Sequence, residues 1–261
     1  MYLSSEEQAM RDGALGPATQ KAMEILIALG TIYGAERLIP VTSVQVAGVS
    51  YDNLGEAGLH FLSSLADGGG KARVLTTLNP AGMDIKNWES LGIPSDFAQK
   101  QVQVIQAFAR MGILTTCTCT PYLAGNLPHF GEHISWSESS AVCFANSVIG
   151  ARTNREGGPS ALAASLTGRT PDYGMHQSIN RKPTLTVLVE DWENILTCQS
   201  LDGGSNTFMF GVLGKAIGTY LEKMSNKPIV YLRGIERATL EDLKSFSASI
   251  ATYGGAAIFH M

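Results

Sequence analysis

The apolar positions of this chain fall into two alternating rhythms. Over residues 18–30, Ala22, Ile25, Leu26 and Leu29 recur at three- and four-residue spacing and stop at Gly30, which predicts a helix entered from Gly16-Pro17. Residues 37–47 are rich in β-branched side chains and end in Gly48-Val49-Ser50, which predicts a strand. Residues 55–65 then return to helical spacing and close at Gly68-Gly69-Gly70. The order strand, polar turn, helix repeats: a strand over 73–78 ends in Asn79-Pro80-Ala81-Gly82, and 95–111 predict a helix with Ser95 as cap and Phe97, Val104, Ile105 and Phe108 apolar. Residues 113–118 predict the next strand. Helices over 139–149 and 160–166, a strand over 184–189, a helix over 206–223, a strand over 228–232, a helix over 240–252 and a strand over 256–259 complete the series.

Strands alternating with helices predict an α/β fold with a mainly parallel sheet and flanking helices, forming one region over residues 1–261. Right-handed crossovers bring the carboxyl ends of parallel strands to one edge, where ligands bind. The turns at Gly48-Val49-Ser50, Asn79-Pro80 and Cys117-Thr118-Cys119 all fall where strands finish, so three segments are expected to converge on one mouth. Residues 254–261 read as a turn entering an apolar strand with nothing polar after it, the expectation for a subunit truncated at its C-terminus.

Composition narrows the function classes. A hydrophobic share of 44% over 261 residues supplies a core, and a formal charge of -4 with no basic cluster argues against a nucleic-acid partner. No apolar run approaches the ~20 residues of a membrane span, and the start MYLSSEEQAM lacks the order of a secretory signal, so a cytoplasmic location is expected. Four cysteines, at 117, 119, 143 and 198, do not make a disulfide framework in a chain of this size. The glycines at 203–204 and 211–218 form neither a dinucleotide fingerprint nor a phosphate loop.

Chemistry concentrates between Leu114 and Ser139. On a strand, alternation would put the sulfurs of Cys117 and Cys119 on one face. The turn-rich loop that follows would bring His129, His133 and Glu138 back to the same strand end. Cys143, on a helix among Ala141, Val142 and Phe144, reads as core, and Cys198 as structural. Glu138 and Ser139 precede a helix and suit a cap. Arg152 and Arg155, in a glycine-bearing loop before a helix, suit a phosphate or carboxylate.

Read in order, GVSYDNLGEAGLHFL, TTLNPAGMD, TCTCTPYLAGNLPHFGEHISWSESSAV and FANSVIGARTNREGGPSALAASLTGRTPDYG closely resemble the large, iron-sulfur subunit of the aconitase X family, over the whole chain. The wording at 154–159 is closer to the archaeal two-subunit branch than to the fused bacterial one. The resemblance implies an aconitase-like fold and a hydro-lyase that dehydrates (R)-5-phosphomevalonate to trans-anhydromevalonate 5-phosphate, a step of isoprenoid biosynthesis. Alternatives are a cis-3-hydroxy-L-proline dehydratase of the same family and a non-catalytic scaffold for assembly or iron sensing. It also implies an iron-sulfur cluster (4Fe-4S) held by three cysteines, with Cys119 as first ligand and Cys117 beside it. Gly48, Val49, Ser50, Asn79, Pro80, Glu138 and Ser139 fall on the family's substrate-contacting turns. A small swivelling subunit is implied as heterodimer partner, carrying the catalytic base. The family's other cluster cysteines lie beyond residue 261, and Cys143 and Cys198 do not match them.

Overall fold

The computed structural model describes residues 1–192 and 206–261. Ser4 opens α1 (Ser5–Arg11) by accepting from the Glu7 amide while the Glu7 carboxylate takes the Ser4 N–H, a reciprocal cap that the spacing Ser-x-x-Glu encodes and the apolar periodicity alone does not reveal. Next come α2 (Pro17–Ile32), β1 (Leu38–Pro40), β2 (Ser43–Val46), α3 (Tyr51–Asp67), β3 (Leu75–Leu78) and α4 (Ser95–Arg110). They are followed by β4 (Ser135–Trp136), α5 (Ser139–Phe144), α6 (Gly158–Thr167), β5 (Arg169–Pro171) and β6 (Leu185–Leu188). The chain continues through α7 (Thr207–Glu222), β7 (Val230–Arg233), α8 (Leu240–Gly254) and β8 (Phe259–His260).

The α/β alternation is as expected, but the strands form three small sheets among the described residues rather than one. β3-β2-β4 and β6-β7-β8 are parallel, and β1 pairs antiparallel with β5. The single strand expected over 37–47 is therefore two: Pro40 has no N–H to continue a ladder, and the chain leaves the β1–β5 pair before entering the second sheet at Ser43. α3 begins before residue 55 because Ser50 leads directly into it, and Gly55, at φ 58°, kinks it. Pro94, not Ser95, occupies the cap of α4. The helix expected over 139–149 is α5 followed by a π-type turn at Ala145–Ile149, ended by left-handed Gly150.

The first parallel sheet is sandwiched by α2, α3, α4 and α6 through Met23, Leu26, Val44, Leu62, Leu78, Val104, Phe108 and Leu162. Each such side chain, fully buried, contributes about 1.5–3 kcal/mol. A second cluster lies around Phe210, Leu221, Val230, Phe246, Ile250 and Phe259, where α7 packs on α8. A Cβ on Gly218 would stand 3.0 Å from the Gly254 nitrogen, so the glycines of the 211–218 run serve helix approach rather than phosphate binding. No described helix is long and apolar enough to cross a membrane.

Candidate functional site

Parallel pairing sets β2, β3 and β4 with their carboxyl ends side by side, Val46 opposite Leu78 and Gln45 opposite Trp136. The turns that leave these ends are 47–50, 79–82 and 137–139. They meet: Gly82 lies so close against the Ser50 hydroxyl that a Cβ there would overlap it, and the Asn79 amide donates to the Val46 carbonyl at 2.9 Å. Val49 is buried, Ser50 and Asn79 are half-buried, and Pro80 and Gly48 are exposed at the rim. No described hydrogen bond claims the Ser50 hydroxyl, and Ser50 does not cap α3 with it.

Two fully buried glutamines hold these turns together. Gln45 Oε1 accepts from the backbone amides of Ser137 (3.3 Å) and Glu138 (2.9 Å), while Nε2 donates to Asn79 Oδ1 at 2.9 Å. Gln101 Oε1 accepts from the amides of Tyr51 (2.9 Å) and Gly82 (3.2 Å), and its Nε2 donates to the Val49 carbonyl at 3.0 Å. The sequence carried a signal for both. Gln45 interrupts the apolar run Val44-Gln45-Val46, and Gln101 sits on the stripe of Ala98, Val104 and Phe108. A polar side chain in such a place is tolerated only when its hydrogen bonds are met.

The cysteine segment reaches the same edge by a route that differs from the expected strand. Leu114 bridges to Thr77, but beyond it the Thr116 hydroxyl (3.2 Å) and the Thr118 amide (3.0 Å) both bond the single Leu78 carbonyl. Cys117 between them adopts φ 47°, a left-handed conformation that a ladder does not contain. Cys117 and Cys119 therefore do not share a strand face: Cys117 is half-buried and Cys119 exposed. Burial pushes the Cys117 thiol upward, and the Ala81 amide, donating to it, offsets part of that. Cys143 is fully buried among core residues, and burial raises it to about 12, so it is the core residue expected. Cys198 lies outside the described residues.

Glu138 follows β4 and caps α5: its carboxylate accepts from the Ala141 amide at 2.6 Å and from the Ser140 hydroxyl at 3.1 Å, with Ser139 at 3.4 Å. His133 precedes β4 and stands at the opposite end of the strand, where its carbonyl takes the Thr42 amide. The expectation that His133 joins Glu138 fails for that reason. His133 instead meets buried His176, Nδ1 to Nδ1 at 3.0 Å, with Arg152 alongside. Residues 152–155 run parallel to β4, Arg152 level with His133 and Arg155 level with Trp136. Arg152 is accordingly not brought to the mouth; its guanidinium binds the His176 carbonyl and the Ser178 hydroxyl. Arg155, exposed, lies nearer the mouth. His129 is held through its amide by Glu132.

A cluster with an open iron needs three protein ligands. Among the described residues no group of three His, Cys, Asp or Glu is placed to hold a metal ion. The exposed thiol of Cys119, two residues from half-buried Cys117, fits one corner of a cluster and not a whole one.

Residues 1–179 match the family model described as the aconitase X first domain, and residues 183–261 match the aconitase X second domain. Over 261 residues the chain is 46% identical to the phosphomevalonate dehydratase large subunit of Methanothermobacter thermautotrophicus, covering all of this chain and 61% of that protein. The large subunit of the same name from Methanocaldococcus jannaschii is 47% identical over 262 residues, of which this chain covers 62%. A cis-3-hydroxy-L-proline dehydratase from Hypocrea jecorina is 35% identical over 259 residues and 41% covered. The crystal structure of Thermococcus kodakaraensis aconitase X in its holo-form superposes with a TM-score of 0.85 at 46% identity, covering all of this chain and 61% of that one. The chain thus spans about three-fifths of the length of the archaeal relatives it matches.

Proposed function

The chain belongs to the aconitase X family, and on that premise we propose that it is the substrate-binding region of a hydro-lyase large subunit that dehydrates (R)-5-phosphomevalonate to trans-anhydromevalonate 5-phosphate. The observation that carries this reading is the meeting of the turns 47–50, 79–82 and 137–139 at one sheet edge, tied by buried Gln45 and Gln101. That edge offers a hydroxyl at Ser50, an amide at Asn79 and backbone at Gly48, Val49, Pro80 and Ser139, the neutral donors and acceptors that orient a small hydroxy acid. Glu138 keeps the third turn in place through its cap. Arg155, whose backbone runs level with Trp136 at the mouth end of β4, is the candidate for the substrate's phosphate, ahead of Arg152. The archaeal relatives at 46–47% identity support phosphomevalonate over hydroxyproline, whose dehydratase stands at 35%.

The cofactor this function calls for is an iron-sulfur cluster, with Cys119 as one ligand and Cys117 two residues away. Its other ligands would have to come from outside the described residues. The relatives named large subunits support a small-subunit partner, which on this proposal supplies the catalytic base. The described residues here bind and orient. Turnover assays of the assembled enzyme with phosphomevalonate and with cis-3-hydroxy-L-proline test the proposal. Dehydration of phosphomevalonate is expected, and turnover of the proline alone, or of neither acid, overturns it.

A further inference from the structure

We infer that Gln45 is a positioning residue that sets the polarity of the Asn79 side chain, so that its NH2 group rather than its carbonyl faces the mouth. The inference rests on the proposed function in one respect, that an acid binds at this edge. The orientation follows from chemistry. Gln45 is 0% exposed on the central strand of its sheet, and one end of its amide faces the N–H groups of Ser137 and Glu138. Backbone N–H groups only donate, so the atom facing them is the carbonyl oxygen. The other end is then the NH2 group, which needs an acceptor, and the atom of Asn79 at 2.9 Å is accordingly Oδ1.

The Asn79 backbone is itself fixed by its amide's bond to the Val46 carbonyl. With Oδ1 held by Gln45, Nδ2 points away from the sheet interior, and no described hydrogen bond claims it. Asn79 is half-buried at the rim beside Ala81 and Gly82. Two N–H donors there match an oxyanion such as a carboxylate or phosphate oxygen, and a carbonyl in the same place would repel it. The relay runs from the Ser137 and Glu138 amides through Gln45 to Asn79, so the turn after β4 dictates which pole the turn after β3 presents.

Gln45→Glu separates the two ends of this relay in the assembled enzyme. An ionised carboxylate still accepts from Ser137 and Glu138 but has nothing to donate, so Asn79 turns its NH2 inward and its carbonyl to the mouth. KM for phosphomevalonate should rise about ten- to a hundredfold with a smaller change in kcat, the loss expected when a donor to a charged oxygen is reversed. In an Asn79→Ala background the same substitution should add no more than about twofold, because the group it acts through is gone. An unchanged KM, or a full further loss in that background, overturns the inference.

Asn79→Asp supplies the reciprocal test without touching the interior. Its carboxylate satisfies Gln45 and turns a second oxygen to the mouth, so KM should again rise at least tenfold, and wild-type binding would overturn the inference. Neutron diffraction from deuterated wild-type crystals reads the amide directly. A deuterated Nδ2 of Asn79 directed away from Gln45 is expected, and Nδ2 directed at Gln45 overturns the inference whichever acid the enzyme turns over. Failure of the wild type to dehydrate phosphomevalonate would instead remove the substrate assignment and leave the neutron result to decide the relay.

Discussion

Replacing Gln101 by leucine should loosen the mouth more than its single side chain suggests. Gln101 is fully buried on α4 and bonds three backbone groups from two turns: the amides of Tyr51 and Gly82 and the carbonyl of Val49. Leucine preserves bulk and leaves those groups without partners. An unsatisfied buried polar group costs roughly 1–3 kcal/mol. Gly82 lies where water can reach it, so the sum is discounted to about 2–5 kcal/mol, set against total stabilities of about 5–15 kcal/mol for globular proteins. Gln101→Glu keeps both amides bonded but sets an oxygen in place of the donor to the Val49 carbonyl, so one backbone group instead of three loses its partner and the expected cost is smaller than that of leucine. Urea unfolding gives the ranking, with the slope of the transition as a check that the unfolded states are alike. Hydrogen exchange should show the Tyr51 and Gly82 amides deprotected first. A Gln101→Leu protein within about 0.5 kcal/mol of wild type, an ordinary surface effect, would refute the view that this side chain ties the turns.

Acid should destabilise the opposite end of β4. Burial first, then neighbouring His133, Arg181 and Arg152, lowers His176 to about 3 from 6.5, and burial followed by Arg152 lowers His133. Folding favours the neutral rings, so their contribution is complete above pH 6.5 and falls as pH drops towards 3, at up to about 1.4 kcal/mol per pH unit for each proton taken up. His176→Gln should flatten that slope in urea titrations between pH 7 and 4, and an unchanged slope would contradict the assignment. Alkylation followed by peptide mapping should modify Cys119 first, Cys117 more slowly and Cys143 only on unfolding; early labelling of Cys143 would contradict its burial. Arg181, which burial draws down to about 10, donates four hydrogen bonds to Asn146, Ala151 and Met175. Arg181→Met should lower stability by about 2–4 kcal/mol in urea unfolding, and a loss below 0.5 kcal/mol would show that water replaces those bonds.

The turns at 48–50 and 79–80 were legible because each follows a β-branched run and carries Gly, Pro or Asn, and parallel topology then forces their meeting. The cysteine segment was not. Alternation of Thr and Cys over 115–120 suits a strand, whereas the structure has two threonines competing for one Leu78 carbonyl and Cys117 turned left-handed between them. That competition is tertiary and leaves no local pattern. His133 was misplaced for a related reason: β4 is only two residues long, too short to stand out between His133 and Glu138, which lie at its opposite ends. Gln45 and Gln101 could have been found as polar residues at apolar positions, the signature of buried groups that bond across segments.

On this reading substrate enters at the carboxyl edge of β3-β2-β4. A crystal structure of the assembled enzyme soaked with (R)-5-phosphomevalonate would locate that entry. Ligand density is expected within hydrogen-bond reach of Ser50, Asn79 and Ser139 and beside Cys119. Density at the other end of β4, against Arg152, His133 and His176, with the Ser50–Asn79 mouth empty, would contradict it.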